Sequence, residues 1–274
     1  MNQERLEHRT LPTVLGQLRV RVGGNGPAIL FWPSLLMDGT MWQGVAERLA
    51  ERYRVVLIDP PGHGDSTALT RHFDFSTCAE CIVQVMDGLG IDRAHYVGNS
   101  WGAMIGGTFA ARYPGRVGVA VLMNGTASPC GPAQRLQFRL MVSLGRLLRG
   151  IRGPLRTSAT AAFLGPTSRR DRPQVVAQVR AALARVDFRS VRWAVESVVI
   201  RRPSQDALLR TVRTPVMVVA GIEDATFPVA ETRAMAQVIP GASFVLMQGA
   251  AHLAGLECPG EVSKLIEAFI RRQG

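Results

Sequence analysis

Three side chains able to assemble one nucleophile stand in this chain at Ser100, Asp224 and His252. A serine hydroxyl is a poor nucleophile near neutral pH. It needs a base, usually histidine, and the base needs a carboxylate to orient it. Ser100 is the centre of Gly98-Asn99-Ser100-Trp101-Gly102, with the strand-like stretch Ala94–Val97 before it and the helix-like stretch Ala103–Tyr113 after it. A G-x-S-x-G sequence at a strand-to-helix turn is a nucleophile elbow. The turn strains the serine backbone and exposes its hydroxyl, and glycines at 98 and 102 remove side chains that would collide there.

The base follows from position. Of five histidines, His8 lies in the N-terminal segment, His63 in a Gly-rich loop, His72 in a polar loop and His95 inside the strand before the elbow. His252 lies in Gly249-Ala250-Ala251-His252-Leu253-Ala254, between the last strand and the last helix. On a parallel sheet that loop opens at the same edge as the elbow. The carboxylate is expected from Gly221-Ile222-Glu223-Asp224, directly after the strand Val216–Ala220; Asp224 is preferred, with its neighbour Glu223 to be excluded. The loop after the preceding strand offers Asn124 and no acid before Asp171. The chain order Ser100, Asp224, His252 is the nucleophile, acid, base order of the fold class in which such elbows occur.

A tetrahedral oxyanion needs backbone N–H donors. Trp101, at the start of a helix, is one candidate, since the first amides of a helix are unsatisfied and its dipole favours negative charge. The other is expected in Pro33-Ser34-Leu35-Leu36. Proline has no N–H, so Leu35 is preferred and Ser34 is the fallback. The Trp101 side chain and Leu36 are expected to contact substrate. His63 is expected to hold a turn near the site entrance.

The elements that position these residues alternate. Strand-like runs at Gln17–Val22, Ala28–Trp32, Arg54–Asp59, Ala94–Val97, Val117–Met123, Val216–Ala220 and Ser243–Leu246 are interleaved with helical patterns at Met41–Glu51, Ser76–Leu89, Ala103–Tyr113, Val229–Val238 and Gly260–Arg272. This predicts an α/β fold, a mostly parallel sheet with helices on both faces. The alternation breaks between Met123 and Thr214, where amphipathic helices are predicted at about 134–149, 174–186, 188–200 and 204–212, separated by Gly-Pro and Arg-Pro breaks. The division predicted is 1–128 with 214–274 as core and 129–213 as a helical cap, inserted at the strand ends where such folds bind ligands. The cap residues Leu136, Phe138, Leu140, Met141, Leu144 and Phe163 are expected to pack rather than to touch substrate.

Composition bounds the alternatives. The 274 residues, 47% hydrophobic, can bury a large core. No run approaches the length of a membrane span. The segment Met1–Glu7 is charged and lacks the apolar stretch of a secretory leader, so a cytoplasmic protein is expected. Cys78-x-x-Cys81 has no second pair to complete a metal site and reads as two buried thiols on one helical face. Pro129–Arg213 holds 17 arginines against four acids, a net +13 within a chain of +11. The excess either solvates helical faces or attracts anionic substrates or surfaces. No nucleic-acid-binding signature accompanies it.

The chain resembles the α/β-hydrolase superfamily, in particular its small capped members. The resemblance rests on Asp59-Pro60-Pro61-Gly62-His63-Gly64-Asp65-Ser66, Gly98-Asn99-Ser100-Trp101-Gly102, Gly221-Ile222-Glu223-Asp224 with Pro228, and His252 followed by Glu257-Cys258-Pro259. It implies an eight-stranded sheet with the cap after the sixth strand, a Ser-His-Asp triad and a mechanism without cofactor or metal. Members often carry His-Gly at the oxyanion loop, where this chain has Pro33-Ser34; the spacing to Met41-Trp42 is similar to that of the enol-lactonase branch. A serine nucleophile disfavours dehalogenase and epoxide-hydrolase chemistry, which the superfamily runs on aspartate, and the cap lacks tyrosines. Hydroxynitrile lyases commonly use a lysine, and Lys264, the single lysine, falls in the final helix. The expectation is hydrolysis of a small ester or lactone. Carbon–carbon bond hydrolysis of the meta-cleavage type, cofactor-free perhydrolysis and ligand binding without turnover are the alternatives.

Overall fold

The computed structural model describes residues 6–273. The reading of the N-terminal segment as leaderless lies largely outside them. The described residues form eight strands: β1 (Glu7–Thr13), β2 (Gly16–Gly23), β3 (Ala28–Trp32), β4 (Arg54–Ile58), β5 (Ala94–Asn99), β6 (Val117–Met123), β7 (Val216–Gly221) and β8 (Ser243–Met247). They form one sheet in the order β1-β2-β4-β3-β5-β6-β7-β8. β1 and β2 pair antiparallel, as do β2 and β4, and every later pairing is parallel. All seven predicted strands are found. The eighth, β1, escapes the pattern because it is an edge strand: only Leu11 is buried along Glu7–Thr13, and Pro12 is tolerated there.

The helices are α1 (Gln43–Leu49), α2 (Phe75–Gly88), α3 (Trp101–Arg112), α4 (Pro132–Leu147), α5 (Pro154–Phe163), α6 (Pro166–Asp171), α7 (Pro173–Arg185), α8 (Phe188–Val195), α9 (Asp206–Leu209), α10 (Val229–Val238), α11 (Ala254–Glu257) and α12 (Pro259–Gln273). Strand alternation divides the core between two faces. In β3, Leu30 and Trp32 face α2 and α3, while Ile29 and Phe31 face α1 and α12. Cys78 and Cys81 are buried thiols on the inner face of α2. None of the described helices is long and apolar enough to cross a membrane.

Helices α4 to α9 all lie between β6 and β7. Here the predicted boundaries need correction. The prolines read as breaks at 154, 166 and 173 are first residues of helices, as is Pro132. At that position the missing N–H costs nothing and the fixed φ already suits a helix. So α5 and α6, not expected from the sequence, fill the two gaps between the breaks at 154, 166 and 173. The helix predicted over 188–200 ends as α8 at Val195 and continues as a π turn over Glu196–Ile200. That predicted over 204–212 is a single turn.

Candidate active site

β5 ends at Asn99 and α3 starts at Trp101, leaving Ser100 alone at the turn with φ 55° and ψ −109°. This strained conformation costs about 1–3 kcal/mol and persists because the surroundings fix it. The Ser100 amide donates to the Met123 carbonyl (2.8 Å), and its carbonyl accepts from the Met104 amide (3.0 Å). A Cβ on Gly98 would overlap the Gly102 carbonyl, and one on Gly102 would overlap that of Trp32. These two glycines are therefore steric requirements of the turn.

The loops after β7 and β8 bring Asp224 and His252 together. His252 Nδ1 donates to Asp224 Oδ2 at 2.9 Å, and both side chains are buried. The other carboxylate oxygen, Oδ1, accepts from the amides of Thr226 (2.7 Å) and Phe227 (3.0 Å). Phe163 stacks on the imidazole with its centroid 5.6 Å away, and Phe227 leans on it at 5.7 Å. Glu223 points elsewhere, accepting from the Thr167 amide (2.9 Å) and hydroxyl (2.5 Å) at the start of α6.

Three residues that sequence reasoning missed hold the His252 loop. The His252 carbonyl accepts from Asn99 Nδ2 (2.7 Å) and Asn124 Nδ2 (2.9 Å), and Asn124 also donates to the Ala251 carbonyl (2.9 Å). Asn124 Oδ1 accepts from the Gly221 amide (2.8 Å), so one amide ties the ends of β6, β7 and β8. Glu257 Oε1 accepts from the amides on either side of His252, Ala251 (2.9 Å) and Leu253 (3.1 Å), and its Oε2 accepts from Ser168 (2.6 Å). Burial pushes the Glu257 carboxyl above its usual range in spite of these donors. The available signal was position: Asn99 lies inside the elbow motif, and Asn124 stands at a strand end.

The loop after β3 turns through Leu36, whose φ is 69°. Its amide donates to His63 Nε2 (3.1 Å), while His63 Nδ1 lies 3.0 Å from the Pro61 carbonyl. One neutral tautomer satisfies both, with the proton on Nδ1. Burial lowers the His63 pKa to about 4, which keeps that tautomer. The Met37 amide is also committed, to the Ser34 carbonyl (3.1 Å). Among the described residues the amides of Leu35 and Trp101 donate to no group of the fold.

Ser100, His252, Leu35 and Leu36 line one cavity of about 130 Å³. Among the described residues neither the Ser100 hydroxyl nor His252 Nε2 makes a hydrogen bond within the fold. Two expectations are corrected here. The Trp101 side chain does not line the cavity; it is fully buried among Trp32, His63 and Phe73, because the first turn of α3 directs it back under the sheet edge. Conversely, Phe138, Met141 and Phe163, expected only to pack, form cavity wall. Leu136, Leu140 and Leu144 do neither and are exposed.

The cavity wall is apolar except at few points, and among the described residues Arg202 is its sole arginine or lysine. Arg202 is only 3% exposed. Its Nε donates to the Ser128 carbonyl (2.8 Å) and its Nη2 to Gln134 Oε1 (3.3 Å), and the guanidinium lies 5.5 Å from the Phe227 ring. It forms no ion pair among the described residues. Glu231, which acts on it from a distance, accepts instead from Thr126 (2.6 Å). In the sequence this residue is hidden among the 16 other arginines of Pro129–Arg213.

Residues 27–259 match the family model of the alpha/beta hydrolase fold. Over 248 residues the chain is 25% identical to 3-oxoadipate enol-lactonase 2 of Acinetobacter baylyi, covering 90% of this chain and 89% of that one. It is 28% identical to the pimeloyl-[acyl-carrier protein] methyl ester esterase of Methylococcus capsulatus, covering 92% and 98%. A thermophilic esterase from Thermogutta terrifontis, solved with malate bound, superposes with a TM-score of 0.89 at 25% identity over 97% of this chain and 99% of that one. The match takes in the elbow, the loop of Asp224 and that of His252, and the chain belongs to the alpha/beta hydrolase fold family.

Proposed function

We propose that the protein is a serine hydrolase that cleaves a carboxylic ester or lactone through an acyl-enzyme on Ser100. The observation that carries this reading is the strained Ser100 facing the same cavity as a His252–Asp224 hydrogen-bonded pair. With the proton on His252 Nδ1, Nε2 is the free base. It takes the Ser100 proton as the hydroxyl oxygen attacks the carbonyl carbon, and Asp224 stabilises the imidazolium. A catalytic hydrogen bond that is open without ligand tightens when substrate fills the site. The amides of Trp101 and Leu35 hold the oxyanion. Collapse breaks the bond to the alcohol oxygen, which leaves with the proton from Nε2. Water then attacks the acyl-enzyme by the same route, releasing the acid and restoring Ser100. No step calls on a cofactor.

The helices between β6 and β7 serve as the cap in this reading, since α4, α5 and α8 supply cavity wall. Arg202 defines the substrate further. A buried cation without a carboxylate partner is costly unless a ligand completes it. An acyl chain that ends in a carboxylate would extend along the apolar wall and meet the guanidinium, one phenyl ring away from His252.

Hydrolysis of p-nitrophenyl esters of graded chain length, by wild type and Ser100→Ala purified in parallel, tests the reading. Turnover that vanishes in the variant supports it. Absence of both turnover and fluorophosphonate labelling of Ser100 would sink it and leave a binding protein.

A further inference from the structure

Helix α4 is amphipathic twice over. Its inner face, with Phe138, Met141 and Val142, lines the cavity. Its outer face carries Leu136, Leu140, Leu144 and Leu147, which are 61%, 63%, 41% and 79% exposed. These are four of the seven large apolar side chains exposed among the described residues. At helical spacing they share one sector about 80° wide. Along its flank run Arg135, Arg139 and Arg146, each directly preceding a leucine or its neighbour in the row, and Arg201 joins them from the end of the π turn. The one acid in this groove, Glu196, is paired with Arg146 (3.4 Å) and His72 (3.3 Å).

A continuous apolar row on a surface is a mark of an interaction site. Its charge setting selects the partner. The inserted segment carries 17 arginines against four acids, so a second copy docked on this face would bring two strongly cationic surfaces together. A bilayer containing anionic lipid offers unlike charge to the arginines and an apolar layer to the leucines, the two properties that hold amphipathic helices at an interface. We propose that the outer face of α4 docks this protein on anionic membranes. The helix lies flat, with its leucines below the headgroups and its arginines at their level. The wall of the cavity is then one helix thickness from the lipid, so apolar compounds dissolved in the bilayer reach it over a short path. This inference does not depend on the hydrolase reading.

Co-sedimentation of the purified full-length protein with vesicles tests it. The wild type is expected to pellet with phosphatidylcholine vesicles containing phosphatidylglycerol at least tenfold more than with phosphatidylcholine alone, and less as salt rises. Replacing Leu140 and Leu147 by Gln should reduce the pelleted fraction at least tenfold at every salt concentration, with the melting temperature unchanged. Arg135→Gln with Arg139→Gln should remove the preference for anionic lipid. A wild type that stays in the supernatant overturns the proposal. So does vesicle binding insensitive to the leucine changes, which would be plain charge attraction shared with any acidic polymer. Dimerisation abolished by the leucine changes without vesicle binding would assign the face to a second copy instead.

Discussion

Leu36 and His63, 27 residues apart, are joined by one hydrogen bond in which the Leu36 amide donates to the imidazole Nε2 at 3.1 Å. It fixes the loop after β3 to the loop after β4. The bond exists only while Nε2 is unprotonated. In the folded protein this holds down to about pH 4, whereas a histidine in the unfolded chain titrates near 6.5. Between those values the unfolded chain binds a proton that the native one refuses, so stability falls as the pH drops through that window and levels off below it. The loss from this group amounts to roughly 3 kcal/mol. Urea unfolding across the window, compared with His63→Gln, isolates it: the stability gap between the two proteins should shrink by about that amount on acidification. A gap independent of pH would refute the assignment.

The same bond positions Leu35, the neighbouring oxyanion donor of the proposed mechanism. His63→Ala leaves the Leu36 amide without an acceptor and should lower kcat about tenfold, with little change in KM. His63→Gln, which keeps an acceptor oxygen, should recover most of it. Steady-state kinetics on one ester decides between this and a purely structural histidine, for which Ala and Gln would behave alike.

Asp224→Asn keeps the oxygen that caps Thr226 and Phe227 but presents an amide to His252 and favours the wrong tautomer. A fall in kcat of about 10⁴ is expected, without unfolding. Glu223→Gln should leave the rate within a few-fold, since Glu223 faces Thr167.

Asn124 donates to two carbonyls and an asparagine oxygen at the convergence of three strand ends. Asn124→Asp preserves shape and replaces the donor by an acceptor. Thermal or urea denaturation should show a loss of about 3 kcal/mol, larger than that of Asn124→Ala, because buried carbonyls then face a carboxylate.

Arg202→Gln should shift selectivity. For the wild type, kcat/KM is expected to be at least tenfold higher for an ester whose acyl chain ends in a carboxylate than for the chain-length-matched ester ending in a methyl group, and the variant should lose that ratio. A ratio unchanged by the substitution would remove Arg202 from substrate recognition.

Much of this was readable beforehand because it depends on short-range pattern. Short continuous apolar runs such as Val216–Ala220 and Ala28–Trp32 specify strands buried on both faces, and glycines flanking Ser100 specify a turn that no other residue fits. The edge strand Glu7–Thr13 buries a single side chain and leaves almost no pattern to read. The prolines at 154 and 166 carry opposite meanings, break or helix start, that only the following residues resolve. Trp101, Asn124, Glu257 and Arg202 were misjudged or overlooked for a different reason. Which face of α3 turns inward, and which arginine of 17 is swallowed by the core, are set by contacts between segments far apart in the chain.

The hydrogen bonds from Thr167 to Glu223, and from the Thr226 hydroxyl to the Ala162 carbonyl (2.9 Å), stitch α5 and α6 to the two ends of the loop that carries Asp224. The helical insertion is therefore not an interchangeable module. Grafting it onto the sheet of another family member would require Glu223 and Thr226 to travel with it, and selection for a new pocket shape in α5 or α6 is constrained by the same stitches that keep the acid in register with the histidine.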